Sequence, residues 1–165
     1  MLLPETFDLL VLGLGSTGLA VARWGAAHLG ERVRSVTVYG GAASAPSAET
    51  DALGAARVRF VFGTELVEGD YDVCVASPGI SEFSAFFARG REHALAIMGE
   101  PEFAWRLSPE HWIAVTGTNG KTTTTSLVNH ILNESGRASV AVGNIGLPPI
   151  AAVDDRAPGS WFVAE

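Results

Sequence analysis

The stretch HWIAVTGTNGKTTTTSLVNHIL, residues 111–132, decides how this chain folds. It joins an apolar run to a helix pattern through one turn rich in glycine and threonine, which predicts a strand, a loop and a helix. The first amide N–H groups of a helix have no partners within it, and the helix dipole adds about half a positive charge at that end. Lys121 places a full positive charge there as well. The combination predicts an anion site, and a polyphosphate suits it because successive N–H groups can wrap its oxygens.

The turn matches most of the phosphate-binding loop G-x-x-x-x-G-K-[ST], although Val115 stands where that pattern has its first glycine. Gly120 and Lys121 are followed at once by hydroxyl side chains and a helix pattern. A purely structural turn would explain the glycine but not the lysine, so we predict that the turn binds the phosphates of a nucleotide. Thr122 is then the predicted magnesium ligand, and Thr123 is expected to contact phosphate.

The run SWFVAE, residues 160–165, ends in an acid. An apolar strand ending in a carboxylate can place that acid beside a phosphate-binding loop on a neighbouring parallel strand, where it holds the metal directly or through water. We therefore predict that Glu165 is a metal ligand. The alternative is a solvent-exposed glutamate with no role in a site.

Towards the N-terminus, apolar runs alternate with helix patterns. FDLLVLG (7–13) predicts a strand and STGLAVARWGAAHLG (16–30) a helix, and further strands are predicted within residues 32–40, 56–63 and 71–80. Strands that alternate with helices are typical of an α/β fold with a parallel, doubly wound sheet. Ligands of such a sheet bind at the carboxyl ends of its strands.

The stretch SPE at 108–110 has the composition of a hinge, so we predict a domain boundary there. Residues 1–108 are expected to form a Rossmann-like domain, and residues 109–165 the beginning of a P-loop α/β ATPase domain. A helix is expected over 120–135, stopped by Gly136, with strands before and after it. A domain with so few strands and helices leaves sheet edges and apolar faces uncovered. We therefore expect an unfinished domain whose exposed edge favours self-association.

Gly13, Gly15 and Gly18 follow the first predicted strand in the spacing G-x-G-x-x-G. This spacing lets a diphosphate approach the backbone near Ser16 and Thr17. Glycines at these positions can also serve only the tight turn and the close packing of the helix. The pattern alone leaves both interpretations open.

A dinucleotide enzyme carries Asp or Glu after its second strand to hold a ribose. Residues 39–41 are Tyr-Gly-Gly instead. The missing carboxylate weakens the hypothesis of a nicotinamide-dependent oxidoreductase and favours another diphosphate ligand. A non-catalytic nucleotide-binding module is a third hypothesis.

A second candidate loop follows the strand YDVCVA. Ser77 and the amide N–H groups near Gly79 could hold a phosphate or the edge of a base, with Pro78 stiffening the bend. An ordinary turn explains the same residues equally well.

Composition excludes several classes of function. The chain has 165 residues and a formal net charge of -7, which argues against nonspecific binding to nucleic acid or to an anionic membrane. It has no apolar run long enough to cross a bilayer and no signal-peptide pattern, which predicts a cytoplasmic protein. The single cysteine, Cys74, lies in an apolar run and is expected to be a buried structural thiol.

Three segments together resemble the Mur ligases of bacterial peptidoglycan synthesis: VTGTNGKTTTT (115–125), GNIGLP (143–148) and GLGSTG (13–18). VASPGIS (75–81) and GEPEFAWR (99–106) are similar to the first domain of the branch that adds D-glutamate. The resemblance extends over nearly the whole chain, and its phosphate-loop segment is highly specific to the superfamily.

The resemblance implies an ATP- and Mg²⁺-dependent amide ligation that serves peptidoglycan synthesis, and through it cell shape and division. ATP would phosphorylate the carboxylate of UDP-N-acetylmuramoyl-L-alanine, and the amine of D-glutamate would attack the acyl phosphate. Lys121 would be the catalytic residue, and Thr122 and Glu165 would hold the metal. The implied ATP-binding residues are Gly117, Thr118, Asn119, Gly120, Lys121, Thr122 and Thr123. The residues implied to hold the UDP-muramoyl substrate are Ser16, Thr17, Gly18, Ser77, Pro78, Gly79 and Asn144.

The chain differs from the family in two respects, and one other branch of the family is an alternative. The family pattern has Asp-Thr-Arg where this chain has Tyr39-Gly40-Gly41, which puts recognition of uracil in question. The branch that adds L-alanine shares the first domain but carries histidine at the position of Asn119, so it is the alternative within the family. Family members continue beyond the glutamate that corresponds to Glu165, so we expect the 165-residue chain to be inactive as a ligase by itself.

Overall fold

The computed structural model describes residues 3–165. The chain forms two compact units that divide between Glu100 and Pro101. The predicted boundary near Ser108 lies farther along the chain and stays a prediction. Within the described residues, every helix is too short or too polar to span a lipid bilayer.

The first unit contains a five-stranded parallel sheet in the order β3-β2-β1-β4-β5. Its strands are β1 (Phe7–Leu12), β2 (Val33–Tyr39), β3 (Arg59–Val61), β4 (Tyr71–Ala76) and β5 (Ala94–Gly99). Its helices are α1 (Ser16–Ala27), α2 (Ala48–Ala55) and α3 (Ala85–Glu92). The order of strands reverses between β1 and β4, and the crevice at such a point is where open α/β sheets bind ligands.

The core of this unit lies around β1. Leu9, Leu10, Val11 and Leu12 are all 0% exposed, so both faces of this central strand are covered. An apolar run without polar alternation is typical of a parallel strand with helices on both sides. The predicted α/β fold with a parallel, doubly wound sheet is therefore confirmed.

The second unit contains a three-stranded parallel sheet in the order β6-β8-β7. Its strands are β6 (Trp112–Ala114), β7 (Ser139–Val142) and β8 (Trp161–Ala164), and its main helix is α5 (Lys121–Glu134). Gly136 follows that helix with φ 78°, a left-handed conformation that glycine adopts without strain, as the sequence predicts. Two helices were not predicted, α4 (Glu100–Leu107) and the single turn α6 (Pro149–Ala152).

Arg156 ties the ends of the second unit's strands together. Its guanidinium donates to the carbonyl oxygens of Ser108 at 2.9 Å, His111 at 3.0 Å and Ser160 at 2.9 Å. It also lies over the ring of Phe162, 4.4 Å from the centroid. Burial lowers the pKa of Arg156, although the charge of Glu110 opposes that effect. This arginine therefore binds backbone carbonyls just before β6 and just before β8.

Candidate nucleotide sites

The second glycine turn, residues 115–120, joins the end of β6 to the start of α5. Val115 donates its N–H to the carbonyl of Ala164 at 2.8 Å, which fixes the start of the turn beside β8. Gly120 occupies the cap position with φ 76° and ψ 2°, a left-handed conformation that a side chain would strain. No side chain of the described residues caps the helix. The first N–H groups of α5 are therefore left for an anion.

Lys121 is the first residue of α5 and is half-buried. Its ammonium donates a hydrogen bond to the carbonyl of Gly117 at 2.9 Å, so the positive charge lies over the turn that opens the helix. Thr118 and Asn119 lie in the exposed part of the same turn. The charge, the helix N-terminus and the open backbone thus occupy one place, which is the arrangement that a polyphosphate needs.

Thr122 and Glu165 meet in the structure. The Thr122 hydroxyl donates a hydrogen bond to a carboxylate oxygen of Glu165 at 2.8 Å, although the two residues lie far apart in sequence. They meet because β8 lies beside β6 in parallel, so that the end of β8 and the start of α5 share one edge of the sheet. Thr123 follows on the exposed first turn of the helix.

This pair of oxygen donors fits magnesium, a hard cation that binds few protein ligands and keeps water and phosphate oxygens as the others. Within residues 3–165 there is no group of three or more Asp, Glu, His or Cys side chains that could hold a metal ion. A metal at Thr122 and Glu165 would therefore need phosphate oxygens or water to complete its coordination.

Gly143 is a site residue that the sequence analysis missed. It has φ 102°, and a Cβ atom there would lie 2.5 Å from the carbonyl oxygen of Glu165. A side chain would displace the backbone that carries the acid. Its signal in the sequence is a glycine that closes a strand directly before Asn144, which is exposed in the turn after β7. Because β7 pairs with β8 in parallel, Asn144 lies at the same edge as Glu165.

The first glycine turn packs tightly against the loop after β4. A Cβ atom on Gly18 would lie 2.2 Å from the carbonyl oxygen of Gly13, and one on Gly13 would lie 3.0 Å from the Ser77 hydroxyl. These two glycines are required by packing, as the structural interpretation of the motif predicts. A Cβ atom on Gly15 would meet no atom within 4 Å, so packing does not explain that glycine.

The residues predicted at the two loops of the first unit lie at one edge of its sheet. Ser16, Thr17 and Gly18 form the first turn of α1, which no side chain of the described residues caps. Ser77 donates its N–H to the carbonyl of Leu12 at 2.9 Å, which places it at the end of β1. Pro78 and Gly79 are exposed in the turn that follows Ser77.

Ser77 is 8% exposed, and its hydroxyl has no hydrogen-bond partner among the described residues. An unpaired buried hydroxyl is uncommon, because leaving it unbonded costs about 1–3 kcal/mol. It lies beneath the turn whose helix end offers free N–H groups. The arrangement fits a diphosphate oxygen, which would accept a hydrogen bond from the hydroxyl.

Tyr39 belongs to the core and not to a site. It is 1% exposed, and its hydroxyl accepts a hydrogen bond from the N–H of Glu68 at 3.0 Å. Gly40 is also fixed by packing, because a Cβ atom there would lie 2.4 Å from the hydroxyl of Ser44. The position where a dinucleotide enzyme carries its ribose carboxylate therefore has no side chain that points to a ligand.

Cys74 is 0% exposed in β4. Burial raises the pKa of its thiol far above the ordinary value, so the thiolate that reacts with electrophiles is absent near neutral pH. The prediction of a buried structural thiol is confirmed.

Comparison with known proteins gives one family description and several similar ligases. The family model of the Mur ligase middle domain matches residues 115–158. The UDP-N-acetylmuramoylalanine–D-glutamate ligase of Gloeobacter violaceus is 40% identical over 158 residues, which cover 94% of this chain and 35% of that protein. The enzyme of the same name from Tropheryma whipplei strain TW08/27 is 38% identical over 165 residues, covering 94% of this chain and 32% of that protein.

A solved structure of the UDP-N-acetylmuramate–alanine ligase of Thermotoga maritima is similar with a TM-score of 0.48 and 23% identity, covering 81% of this chain and 30% of that one. The chain spans about a third of the length of the two D-glutamate ligases above.

Proposed function

We infer that this chain belongs to the Mur ligase family, and we propose that it is the N-terminal region of an ATP-dependent ligase that adds D-glutamate to UDP-N-acetylmuramoyl-L-alanine. Similarity over 94% of the chain to ligases of that name supports the proposal. The observation that carries the mechanism is the hydrogen bond between Thr122 and Glu165 beside Lys121 at the start of α5.

In this proposal the second unit binds ATP. The N–H groups of the turn from Gly117 to Gly120 and the first turn of α5 surround the phosphates, and Lys121 leaves the Gly117 carbonyl to pair with the outer phosphate oxygens. Thr122 and Glu165 would hold magnesium, which would supply positive charge beside the phosphates.

The first unit holds the uridine diphosphate end of the other substrate. Ser16, Thr17 and Gly18 offer the N–H groups of the uncapped α1, and Ser77 offers its unpaired hydroxyl. These donors are neutral, so they bind a diphosphate without attracting other anions strongly. Pro78 and Gly79 shape the loop, and Asn144 in the second unit is proposed to contact the muramoyl part.

The chemistry proceeds in two steps. A carboxylate oxygen of the alanine residue attacks the γ-phosphorus of ATP, and the bond to the β–γ bridging oxygen breaks to release ADP. The amine of D-glutamate then attacks the acyl carbon, loses a proton, and expels phosphate as the amide forms. The first step brings two anions together, which is why a lysine, a metal and a helix N-terminus gather at one point.

Two alternatives receive less support. The branch that adds L-alanine would carry histidine where this chain has Asn119, and the D-glutamate ligases are similar over 94% of this chain. A nicotinamide-dependent oxidoreductase needs a ribose-binding acid after β2, where Tyr39 is buried. The ligase proposal also supports a cytoplasmic setting, since ATP and UDP-linked precursors are its substrates.

The test is a titration of the 165-residue chain with UDP, Mg-ATP and NAD, each followed by ¹H–¹⁵N NMR. We expect UDP to shift the amides of the first glycine turn, Mg-ATP those of the second, and each ligand to bind when the other is saturating. NAD should bind at neither turn at the same concentration. Competition of UDP and ATP for one turn, or saturable NAD binding at the first turn, would contradict the proposal.

Self-association is proposed as a property of the second unit. Leu127 and Ile131, one helical turn apart on α5, are 55% and 56% exposed, and Val140 on the edge strand β7 is 47% exposed. Exposed apolar residues beside an unpaired strand edge favour contact between copies. Sedimentation velocity over a range of concentrations should show reversible dimers, and a Leu127→Glu variant should remain monomeric.

A further inference from the structure

The first unit has a cavity beside the glycine turn that Gly40 and Gly41 form after β2. The cavity has a volume of about 540 Å³ and opens at the carboxyl ends of the strands. Leu14, Ile80 and Phe86 supply much of its apolar wall. Gly15 also lines the cavity. Packing does not explain why residue 15 is a glycine, because a Cβ atom there would meet no atom within 4 Å. The cavity therefore has room for a flat ring attached to a diphosphate at the first glycine turn.

Among the described residues, Glu65 is the only one with an ionisable side chain that lines the cavity. Apart from Ser44, the other residues of the lining are glycine or apolar. The Ser44 hydroxyl is already used, since it donates to the carbonyl of Gly41 at 2.6 Å and accepts from the N–H of Gly63 at 3.2 Å. Glu65 is exposed, and no hydrogen bond or ion pair links its carboxylate to another described residue.

The loop that carries Glu65 is fixed to the glycine turn. Gly40 donates its N–H to the carbonyl of Val61 at 3.0 Å, and Gly41 pairs with Thr64 in an antiparallel bridge. The Thr64 hydroxyl accepts a hydrogen bond from the N–H of Leu66 at 3.0 Å. These contacts lie on both sides of Glu65 and hold its backbone at the rim of the cavity. The carboxylate is therefore presented by an ordered loop.

We propose that Glu65 is the specificity-determining residue for the base, and that its carboxylate accepts a hydrogen bond from the ring N–H of a pyrimidine imide lying in this cavity. The choice of a pyrimidine rests on the proposed function. Tyr39 is buried and Gly40 and Gly41 have no side chains, so the turn after β2 supplies no carboxylate. The loop after β3 supplies one to the same cavity.

The test compares UDP with its N3-methyl derivative, which lacks the ring N–H, on the 165-residue chain and on the variants Glu65→Leu and Glu65→Gln. UDP should bind Glu65→Leu about tenfold more weakly than the parent chain, the effect of losing one hydrogen bond to a charged group. Glu65→Gln should retain much of the affinity because its amide oxygen still accepts. N3-methyl-UDP should bind the parent chain and both variants with the same low affinity.

Glu31→Leu is the matched control, since Glu31 is also exposed but lies in the connection before β2, at the opposite edge of the sheet. If Glu65→Leu lost equal affinity for UDP and for N3-methyl-UDP, or lost affinity for neither, the role of Glu65 would be overturned and the proposed function would stay intact. Absence of UDP binding to the parent chain would overturn both. NMR shifts at the Gly41 amide on UDP binding should locate the base in the cavity, and shifts confined to the second unit would contradict the inference.

Discussion

The two glycine turns have the same local topology, but the first is uncharged and the second is charged. Each joins a parallel strand to the N-terminus of a helix that no side chain of the described residues caps. The first turn and its partner loop, residues 13–18 and 77–79, contain no charged side chain. The second turn opens a helix with Lys121 and lies beside Glu165.

They also differ in packing. The first turn is tight, with Gly13 and Gly18 buried against each other and against Ser77, whereas residues 116–120 of the second turn are exposed. The difference suits the proposed ligands. A diphosphate that stays intact needs only neutral donors in a fixed place. A triphosphate that reacts needs charged groups that stabilise the charge developing on its oxygens.

The largest expected effect tests the charge at the second turn. In a ligase of the relatives' full length that carries these residues, Lys121→Ala should lower kcat at least ~10²-fold, as is typical for the loss of one group that stabilises developing charge. Steady-state release of ADP with all substrates present measures it. Arg137→Ala is the control, since Arg137 is exposed beyond the end of α5. Near-normal turnover of the Lys121 variant would contradict the proposal that the second turn, unlike the first, needs a positive charge for its function.

The next effect tests the packing of the first turn with two glycines from one motif. Gly18→Ala should lower the free energy of unfolding by roughly 1–3 kcal/mol, because its methyl group would overlap the Gly13 carbonyl. Gly15→Ala should change that free energy by less than about 0.5 kcal/mol, since its methyl group meets open space. Gly15→Ala should instead weaken UDP binding. Urea denaturation and UDP titration of both variants measure this, and equal stability losses would contradict the packing argument.

A smaller effect compares two buried hydroxyls that have no hydrogen-bond partner among the described residues, Ser77 at the first turn and Thr125 in α5, which is 0% exposed. Ser77→Ala and Thr125→Val should each raise the free energy of unfolding by about 1 kcal/mol, because an unsatisfied buried hydroxyl is removed. Only Ser77→Ala should also weaken UDP binding. Thermal denaturation with ligand titration separates the two, and unchanged UDP affinity in Ser77→Ala would leave that hydroxyl without a role in binding.

The smallest effect concerns the opposite edge of the first sheet, where the Arg34 guanidinium pairs with the carboxylates of Asp8 and Asp72. Burial raises the pKa of the Asp8 carboxyl, but hydrogen bonds from Ser35 and Arg34 and the charge of Arg34 outweigh it, so the pKa lies below its ordinary value. A depressed pKa contributes stability that is present above the unfolded-state value and is lost as pH falls through the folded-state value.

Asp8→Asn should therefore lower the Tm slightly at pH 7, and the difference from the parent chain should shrink as the pH falls towards about 2, below the ordinary pKa of aspartate. Thermal denaturation across that range measures it. A difference that grows on acidification would contradict the assigned sign. The effect is small because the side chain of the partner Arg34 is 48% exposed, so solvent screens the ion pair.

Much of the fold follows from local patterns. Apolar runs between glycines predicted the strands that the structure contains, and the order of strands and helices predicted the parallel sheet. Helix α4 was missed because Pro101 follows directly after its first residue, a signal that also fits a turn. Arg156 was missed because its partners are backbone carbonyls, which a sequence pattern does not identify.

The candidate sites were predictable in part. Lys121 and Thr122 stand out because their residue types are unusual after a glycine turn, and Glu165 because it ends an apolar strand. Gly143 has only the weak signal of a glycine at the end of a strand, and Glu65 has none. The first matters because of a backbone approach of 2.5 Å, and the second because a bridge between Gly41 and Thr64 brings its loop to a cavity.

The sequence by itself determined most of the segments that become strands and helices, although not α4 or α6, and where free N–H groups and charges concentrate. These features depend on residues that are close neighbours along the chain. Only the tertiary structure decided which distant side chains share an edge of a sheet. The meeting of Thr122 with Glu165 depends on β8 pairing beside β6. The position of Ser77 beneath the first turn depends likewise on β4 pairing beside β1, and strand order is set by long-range packing.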